Sequence, residues 1–228
     1  IHAAKLAKHY GADVFLSDSD NNNKCCIDGI ETEFGNHSDK ILKSDFVIKS
    51  PGVPRNIKIV SKLIDSKIPI ISEIEFASWF TKTSIIGITG TNGKTTTVEL
   101  INYILNKNGF KVLLGGNIGI PFSKNVLIEL KDKIRYDFHI LEISSFQLED
   151  IKYLKPHYSI IINIKPDHLD RYKSFKDYKN AKFKIALNLD SKDTLIINEK
   201  DTNDLKINSN IIVKKFKINN NNVFVNDD

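Results

Sequence analysis

GITGTNGKTTT, residues 87–97, links an apolar segment to an amphipathic one. The residues up to Thr89 are mostly apolar and β-branched, as in a buried strand. The segment after the glycines predicts a helix at residues 95–108, which ends at Gly109 and carries four apolar side chains on one face: Val98, Ile101, Ile104 and Leu105. A glycine-rich turn between a strand and a helix, with a lysine where the helix begins, is typical of a loop that binds nucleotide phosphates.

The glycines of this loop depart from the generic phosphate-loop spacing, because Ile88 stands where that pattern has its first glycine. Gly90 and Gly93 still free the backbone to approach phosphate oxygens, and Lys94 supplies a positive charge. The Thr95 hydroxyl stands where such loops bind Mg²⁺. The predicted nucleotide contacts are Gly90, Thr91, Asn92, Gly93, Lys94, Thr95 and Thr96. A glycine-rich turn without a ligand is the alternative.

The composition is that of an ordinary globular protein, with 228 residues, 41% hydrophobic and 27% charged, and a formal net charge of +5. Lysine and arginine form no cluster dense enough to predict nucleic-acid binding. The sequence shows no export signal and no apolar run near the ~18 residues of a membrane-spanning helix. Cys25 and Cys26 are adjacent, which predicts two free thiols in a reducing compartment, and we expect the cytoplasm.

Strands and helices alternate along the chain, which predicts an α/β protein. We expect a Rossmann-like domain at residues 1–81 and a P-loop ATPase-type domain with a mostly parallel sheet at residues 82–228. The alternation restarts near residues 80–83, which sets this boundary. The strands predicted for the second domain lie at residues 84–89, 110–114, 137–143, 158–164 and 194–198. The asparagine run at residues 219–222 is expected to be a turn between two short strands.

The motif TGTNGKTT resembles the ATP loop of the Mur ligases, which are cytoplasmic enzymes that add amino acids to the peptidoglycan precursor. Four further motifs follow in the order and spacing of that family: GGNIGIP (115–121), LEISSFQL (141–148), NIKPDHLDRY (163–172) and YKNAKFKI (178–185). SSFQL followed by DHLDRY is most similar to the members that add D-glutamate. The SPGVP turn and the EIEFA helix resemble the first domain of those members, so the resemblance covers nearly the whole chain.

This resemblance implies ATP-driven formation of an amide bond through an acyl phosphate. It implies UDP-N-acetylmuramoyl-L-alanine and D-glutamate as substrates, ATP and two Mg²⁺ ions as cofactors, and a monomer with no nucleic-acid or membrane partner. The family's first UDP-binding strand and its third domain have no counterpart in this sequence, which also lacks methionine at position 1. We therefore expect about half of an enzyme, incomplete in both domains, and no ligase activity from these residues alone.

The resemblance assigns catalytic roles to Lys94, His168 and Lys182. Glu142 ends a predicted parallel strand, where ligands bind in open α/β sheets, and it is expected to hold Mg²⁺ with Thr95; a capping or surface glutamate is the alternative. His168 matches the family's second-metal histidine, although a lone histidine is more often structural. Lys182 matches a lysine that reacts with CO₂, and its carbamate would hold the second Mg²⁺; from sequence alone it is one of many helix lysines. The reaction needs a neutral amine and hence a lowered pKa.

Five residues are expected to contact the substrate. Asn117, in GGNIG, matches a family residue near the reacting carboxyl, and an asparagine in a left-handed turn is the alternative. Gly52, in SPG, together with Asp18 and Ser19 after the first strand, resembles the remaining part of the UDP site. Ser144, in SSFQL, is a further candidate contact.

Two other functions stay open. Another Mur ligase or a folylpolyglutamate-type synthetase would share the phosphate loop, and the pocket that selects the amino acid is not in this sequence. A nucleotide-binding module without catalysis is the alternative from a different class. The joint presence of the predicted catalytic and metal residues favours catalysis, because a decaying copy would be expected to lose some of them: Lys94, Thr95, Glu142, His168 and Lys182.

Overall fold

The computed structural model describes residues 1–22, 27–206, 210–219 and 222–227. These residues form seven α-helices: α1 (His2–His9), α2 (Lys58–Asp65), α3 (Glu73–Ser78), α4 (Lys94–Lys107), α5 (Phe122–Asp132), α6 (Ser145–Glu149) and α7 (Phe175–Phe183). They form eleven strands: β1 (Phe15–Asp18), β2 (Glu31–Phe34), β3 (Val47–Lys49), β4 (Ile70–Ser72), β5 (Ser84–Thr89), β6 (Val112–Gly116), β7 (Phe138–Glu142), β8 (Tyr158–Ile161), β9 (Thr194–Asn198), β10 (Ile212–Asn219) and β11 (Asn222–Asp227). Short 3₁₀ helices lie at Asp39–Lys43, Lys184–Ala186 and Glu199–Asp201. Cys25 and Cys26 lie outside the described residues, as do Asn220 and Asn221 of the predicted turn.

The main sheet of the described chain has seven strands in the order β11-β10-β9-β8-β5-β7-β6. The six strands from β10 to β6 are parallel to one another, and β11 is antiparallel to β10. This confirms the predicted α/β class with a mostly parallel sheet. After β5 the chain forms the edge strand β6, returns to place β7 between β6 and β5, and then adds β8, β9 and β10 on the other side of β5. Ligands bind at the carboxyl ends of strands at such a reversal of strand order.

Helices cover both faces of the main sheet, which accounts for the apolar strands. On one face, Ile86 and Ile88 of β5 pack with Val98 of α4. On the other face, Ile85 belongs to the larger core cluster, together with Phe122 of α5. Successive side chains of a strand point to opposite faces, so β5 contributes to both clusters. Its carboxyl end is thereby fixed directly beside the N-terminus of α4.

The predicted apolar face of α4 is correct at three of its four residues. Val98 is buried, and Ile101 and Leu105 pack against the same cluster. Ile104 is 47% exposed, so its predicted place on the buried face is wrong. Each residue turns a helix by about 100°, and Leu105 therefore continues the stripe from Val98 while Ile104 points away from it.

No helix among the described residues is long and apolar enough to cross a lipid bilayer. The longest of them, α4, has 14 residues.

The residues before β5 form two small parallel pairs, β1 with β2 and β3 with β4. The sequence patterns did not predict β2, because its run is short and half polar. Ser72 caps α3 by accepting a hydrogen bond from the backbone N of Glu75. Leu6 of α1 and Ile74 of α3 lie in the same core cluster as Phe122 of α5, so this part packs on the main sheet. The division of the chain into two domains after residue 81 stays a prediction.

Candidate active site

The loop between β5 and α4 needs glycine at two positions for different reasons. A Cβ on Gly90 would lie 3.2 Å from Ile162 Cβ and 3.4 Å from Asn163 O, so the loop passes tightly over the end of β8. Gly93 has a φ of +82°, a left-handed conformation that residues with side chains rarely adopt. Gly93 is also the N-cap of α4, so the helix opens directly onto the loop.

Asn163, just after β8, fixes the loop. Its backbone O accepts a hydrogen bond from Thr91 N at 2.9 Å, and its side chain exchanges two hydrogen bonds of 3.0 Å with the backbone of Asn92. Thr91 Oγ1 accepts from Lys165 N at 2.9 Å. The N–H groups of Thr91 and Asn92 are therefore already satisfied, whereas the first N–H groups of a helix have no partner within the helix. The donors for a phosphate thus begin at the N-terminus of α4, where Gly93, Lys94, Thr95 and Thr96 lie.

Two lysine side chains converge on the carbonyl oxygen of Gly90. Lys94 Nζ donates to it at 3.0 Å and to Thr91 O at 2.9 Å, and Lys182 Nζ donates to it at 2.9 Å. Lys182 is only 2% exposed. Burial, together with the positive charge of Lys94, lowers the pKa of Lys182 to about 7 against the opposing effect of Asp167. A large fraction of this amine is therefore neutral near pH 7, as a reactive lysine requires.

Glu142, at the carboxyl end of β7, is a buried carboxylate with neutral hydrogen-bond partners. It is 2% exposed. Thr95 Oγ1 donates to its Oε2 at 2.8 Å, and Asn117 Nδ2 donates to its Oε1 at 2.9 Å. The ion pairs within the described residues do not include Glu142. Burying a charged carboxylate without a cation is unfavourable, and Mg²⁺ prefers carboxylate and hydroxyl oxygens, so these residues fit a bound Mg²⁺ ion.

Asn117 is held against Glu142 by the close approach of β6 and β7. Its backbone N donates to Glu142 O at 2.8 Å. The left-handed conformation belongs to the preceding Gly116, with a φ of +104°, and to Gly119, with a φ of +64°. The alternative of a left-handed turn at Asn117 is therefore wrong. A Cβ on Gly116 would lie 2.3 Å from Glu142 O, so glycine is required for this approach.

His168 adopts an uncommon backbone conformation, with a φ of +53°. Its side chain is 46% exposed, and its Nε2 lies 3.7 Å from Asp167 Oδ2. The imidazole packs on Phe146, with ring centroids 4.9 Å apart. A non-glycine residue whose backbone adopts the left-handed conformation is strained, and such strain concentrates at functional sites.

Tyr178 is a central residue that the sequence analysis did not assign. Its buried ring lies 4.7 Å from Lys182 Nζ and 6.1 Å from the His168 ring, and its hydroxyl lies 3.1 Å from Thr91 Oγ1. It therefore joins three of the predicted site residues. The signal was present in the sequence, because Tyr178 stands four residues before Lys182 on the same face of α7.

In the described part of the chain, no three His, Cys, Asp or Glu side chains are grouped to hold a metal.

The other predicted substrate residues make local contacts. Asp18 ends β1 and accepts a backbone hydrogen bond from its own turn, and Ser19 follows it. Gly52 lies in the turn after β3, with open space where a Cβ would project. Ser144 is the N-cap of α6 and forms a capping box with Gln147. Its hydroxyl therefore has a structural role, and its contact with substrate stays a prediction.

Residues 88–227, more than half of the chain, match the family described as Mur ligase middle domain. The chain belongs to the Mur ligase family. Several curated relatives of this chain carry the name UDP-N-acetylmuramoylalanine--D-glutamate ligase, including the following two. The one from Christiangramia forsetii is 43% identical over 210 residues, covering 89% of this chain and 46% of the relative. The one from Chloroherpeton thalassium is 44% identical over 211 residues, covering 87% of this chain and 44% of the relative. The chain thus spans about half the length of the curated relatives that it matches.

A solved Mur ligase has a similar fold. The crystal structure of UDP-N-acetylmuramate:L-alanyl-gamma-D-glutamyl-meso-diaminopimelate ligase from Neisseria meningitides matches all of this chain and 80% of its own, with a TM-score of 0.59 and 17% identity. The matched family range contains every predicted phosphate and metal residue, from Gly90 to Lys182. Asp18, Ser19 and Gly52 precede that range.

Proposed function

We propose that the complete protein is a Mur ligase that joins D-glutamate to UDP-N-acetylmuramoyl-L-alanine at the expense of ATP, in peptidoglycan precursor synthesis. The names of relatives that are 43% and 44% identical to this chain support the choice of substrates. In this proposal, residues 1–81 bind the UDP-linked substrate and residues 82–228 bind ATP. The protein acts in the cytoplasm as a monomer, without a nucleic-acid or membrane partner.

The buried Glu142 is the observation that carries the ATP-dependent chemistry. It lies at the carboxyl end of β7, bonded to Thr95 in the first turn of α4. A carboxylate in this place supports a divalent cation beside the phosphates of ATP. Bound Mg²⁺ would neutralise the negative charge of the phosphate oxygens. A glycine-rich turn without a ligand would leave this buried charge unexplained.

The phosphates of ATP would bind at the N-terminus of α4. The open N–H groups of its first turn donate hydrogen bonds, and the positive end of the helix dipole faces the same place. Lys94 Nζ, now bonded to Gly90 O and Thr91 O, lies at this loop and adds a positive charge. These groups hold the γ-phosphorus in position for attack by a substrate carboxylate oxygen. The bond from the γ-phosphorus to the bridging oxygen breaks, ADP leaves and an acyl phosphate forms.

The second step forms the amide. The nitrogen of D-glutamate attacks the acyl carbon, the C–O bond to phosphate breaks, and the amine loses a proton. The protein contributes by placing the groups and by compensating charge. Asn117, bonded to Glu142, lies near the reacting carboxyl in this proposal. Asp18, Ser19 and Gly52 hold the UDP-linked part, and Ser144 is a further substrate contact.

Lys182 would work as a carbamate. Its neutral amine adds to the carbon of CO₂ and releases one proton to solvent, which converts the amine into a carboxylate-like anion. The pKa of about 7 supports this reaction at neutral pH, and the carbamate with His168 would hold a second Mg²⁺. The ring of Tyr178, close to both side chains, fixes their approach.

An assay of the complete protein tests this proposal. Phosphate release from ATP is measured with UDP-N-acetylmuramoyl-L-alanine, with and without D-glutamate, beside L-glutamate, glycine and meso-diaminopimelate. Release that requires both the nucleotide sugar and D-glutamate is the expected result. Turnover with another amino acid in place of D-glutamate would be consistent with the assigned phosphate site but would contradict D-glutamate as the substrate. Binding of ATP without any turnover would favour a nucleotide-binding module.

A further inference from the structure

A buried ion pair joins the first part of the chain to the segment that follows β7. Lys49 Nζ lies 3.1 Å from Asp150 Oδ2, and the two side chains are 3% and 1% exposed. Lys49 ends β3, and Asp150 directly follows α6. A buried ion pair is a weak source of net stability, because the loss of hydration offsets the attraction between the charges. Its geometric consequence is therefore the more informative property.

Lys49 holds the turn that contains Gly52. Its Nζ donates a second hydrogen bond, of 3.1 Å, to Val53 O. The turn closes on itself through Val53 N, which donates to Ser50 O at 3.0 Å. One ammonium group therefore bonds both to the end of this turn and to the carboxylate of Asp150.

Asp150 holds the other side of the junction. Its backbone O accepts a hydrogen bond of 2.9 Å from the N of Ser72, the residue that pairs with Lys49 in the β3–β4 register. Its Oδ1 accepts a hydrogen bond from Arg55 Nη2. α6, which precedes Asp150, begins shortly after Glu142. The chain from Glu142 to Asp150 is thus tied to both β3 and β4.

We propose that Lys49 and Asp150 are positioning residues, whose ion pair fixes the Gly52 turn relative to Glu142 and so aligns the substrate carboxylate with the γ-phosphate. This inference rests on the proposed function, in which the Gly52 turn faces the UDP-linked substrate and Glu142 faces the ATP site. Neither residue touches the reacting atoms. Their effect is large because a misplacement of about 1 Å lowers a rate on the order of 100-fold.

The variant Lys49→Met of the complete protein tests the inference. It keeps the length of the side chain and leaves Asp150 its bond to Arg55, so we expect it to fold. The kcat for D-glutamate-dependent phosphate release falls at least about tenfold. The KM for ATP stays within about twofold of wild type, because the phosphate loop is unchanged. The matched control is Lys62→Met, which removes an exposed ion pair with Asp39 and leaves both constants within about twofold.

The double variant Lys49→Met with Asp150→Leu separates positioning from stability. It replaces both members of the buried pair by apolar side chains, so that no charge is left buried without its partner. Any melting temperature lost in Lys49→Met is therefore regained. Positioning requires that kcat stays low when the melting temperature has recovered. A kcat within about twofold of wild type, in Lys49→Met or in the double variant, would overturn this inference but leave the proposed function standing. An inactive wild-type protein would instead overturn the proposed function, and this inference with it.

Discussion

The Thr95 hydroxyl donates a hydrogen bond of 2.8 Å to the buried carboxylate of Glu142. This bond joins the first turn of α4 to the end of β7, two elements that are adjacent only because β7 pairs with β5. The parallel sheet thus brings a hydroxyl and a carboxylate to the open end of a helix. The arrangement places oxygen ligands for a cation beside donors for an anion, which is what binding of a metal–nucleotide pair requires.

Replacing Glu142 by glutamine tests the charge of this carboxylate. Glu142→Gln keeps the shape and can bond to both Thr95 and Asn117, so the melting temperature changes little. We expect kcat to fall on the order of 100-fold, because the Mg²⁺-binding charge is lost. Steady-state phosphate release at several Mg²⁺ concentrations measures it. Glu99→Gln, on the exposed side of α4, is the control and keeps wild-type activity. Equal activity of the two variants would exclude a metal role for Glu142.

Replacing His168 by glycine separates stability from function. The φ of His168 is +53°, which glycine adopts without a Cβ clash, so His168→Gly is as stable as wild type or more stable by up to about 1 kcal/mol. We expect its ligase activity to be lost. Lys133→Gly provides the matched control, because Lys133 has a φ of +51° at the end of α5. The control gains similar stability in urea unfolding and keeps full activity. Full activity of His168→Gly would remove His168 from the site.

The carbamate on Lys182 predicts chemical rescue. Lys182→Ala removes the amine and opens a space beside Gly90, so kcat falls on the order of 100-fold. Short carboxylic acids such as formate or acetate would occupy that space and restore part of the activity. Phosphate release with increasing acetate measures this. Lys182→Ala with wild-type activity, or with no response to any short acid, contradicts the carbamate. Acetate has no activating effect on the wild-type protein, which serves as the control.

The lowered pKa of Lys182 also predicts how stability depends on pH. The folded protein loses this proton near pH 7, whereas the unfolded chain keeps it until about 10.5, so the unfolded state binds more protons between these values. The free energy of unfolding therefore rises with pH across this window, relative to Lys182→Met. Urea unfolding at pH 7 to 9.5 in CO₂-free buffer measures the difference. Lys176→Met, at an exposed position of the same helix, gives no such trend. A difference that stays constant with pH would contradict a buried neutral amine.

The phosphate loop was predictable because its signals are local. Strand, glycines, lysine and amphipathic helix follow one another within residues 84–108, and the structure has them in that order. Periodicity also has limits within this segment. Ile104 was predicted on the apolar face of α4, yet it points to solvent, because a pattern of apolar residues does not say which of them a neighbouring sheet will cover.

The long-range pairs were not predictable from local pattern. Nothing near Lys49 in the sequence indicates that its partner is Asp150, because the two residues lie far apart in the chain and meet where the β3–β4 pair packs against the segment after α6. The left-handed conformation, considered at Asn117 only as an alternative to a substrate contact, occurs at Gly116, because the tight approach to Glu142 leaves no room for a Cβ there. For Tyr178 the sequence offers only the spacing of four residues to Lys182, whereas its contacts with His168 and Thr91 come from separate segments.

The fate of one oxygen atom tests the central claim most directly. UDP-N-acetylmuramoyl-L-alanine labelled with ¹⁸O in the alanine carboxylate is incubated with ATP, D-glutamate and the complete protein. Mass spectrometry then measures the label in inorganic phosphate and in the product. An acyl phosphate predicts one ¹⁸O in each phosphate released, in step with a product that contains D-glutamate. Unlabelled phosphate, or phosphate released without that product, would contradict the account.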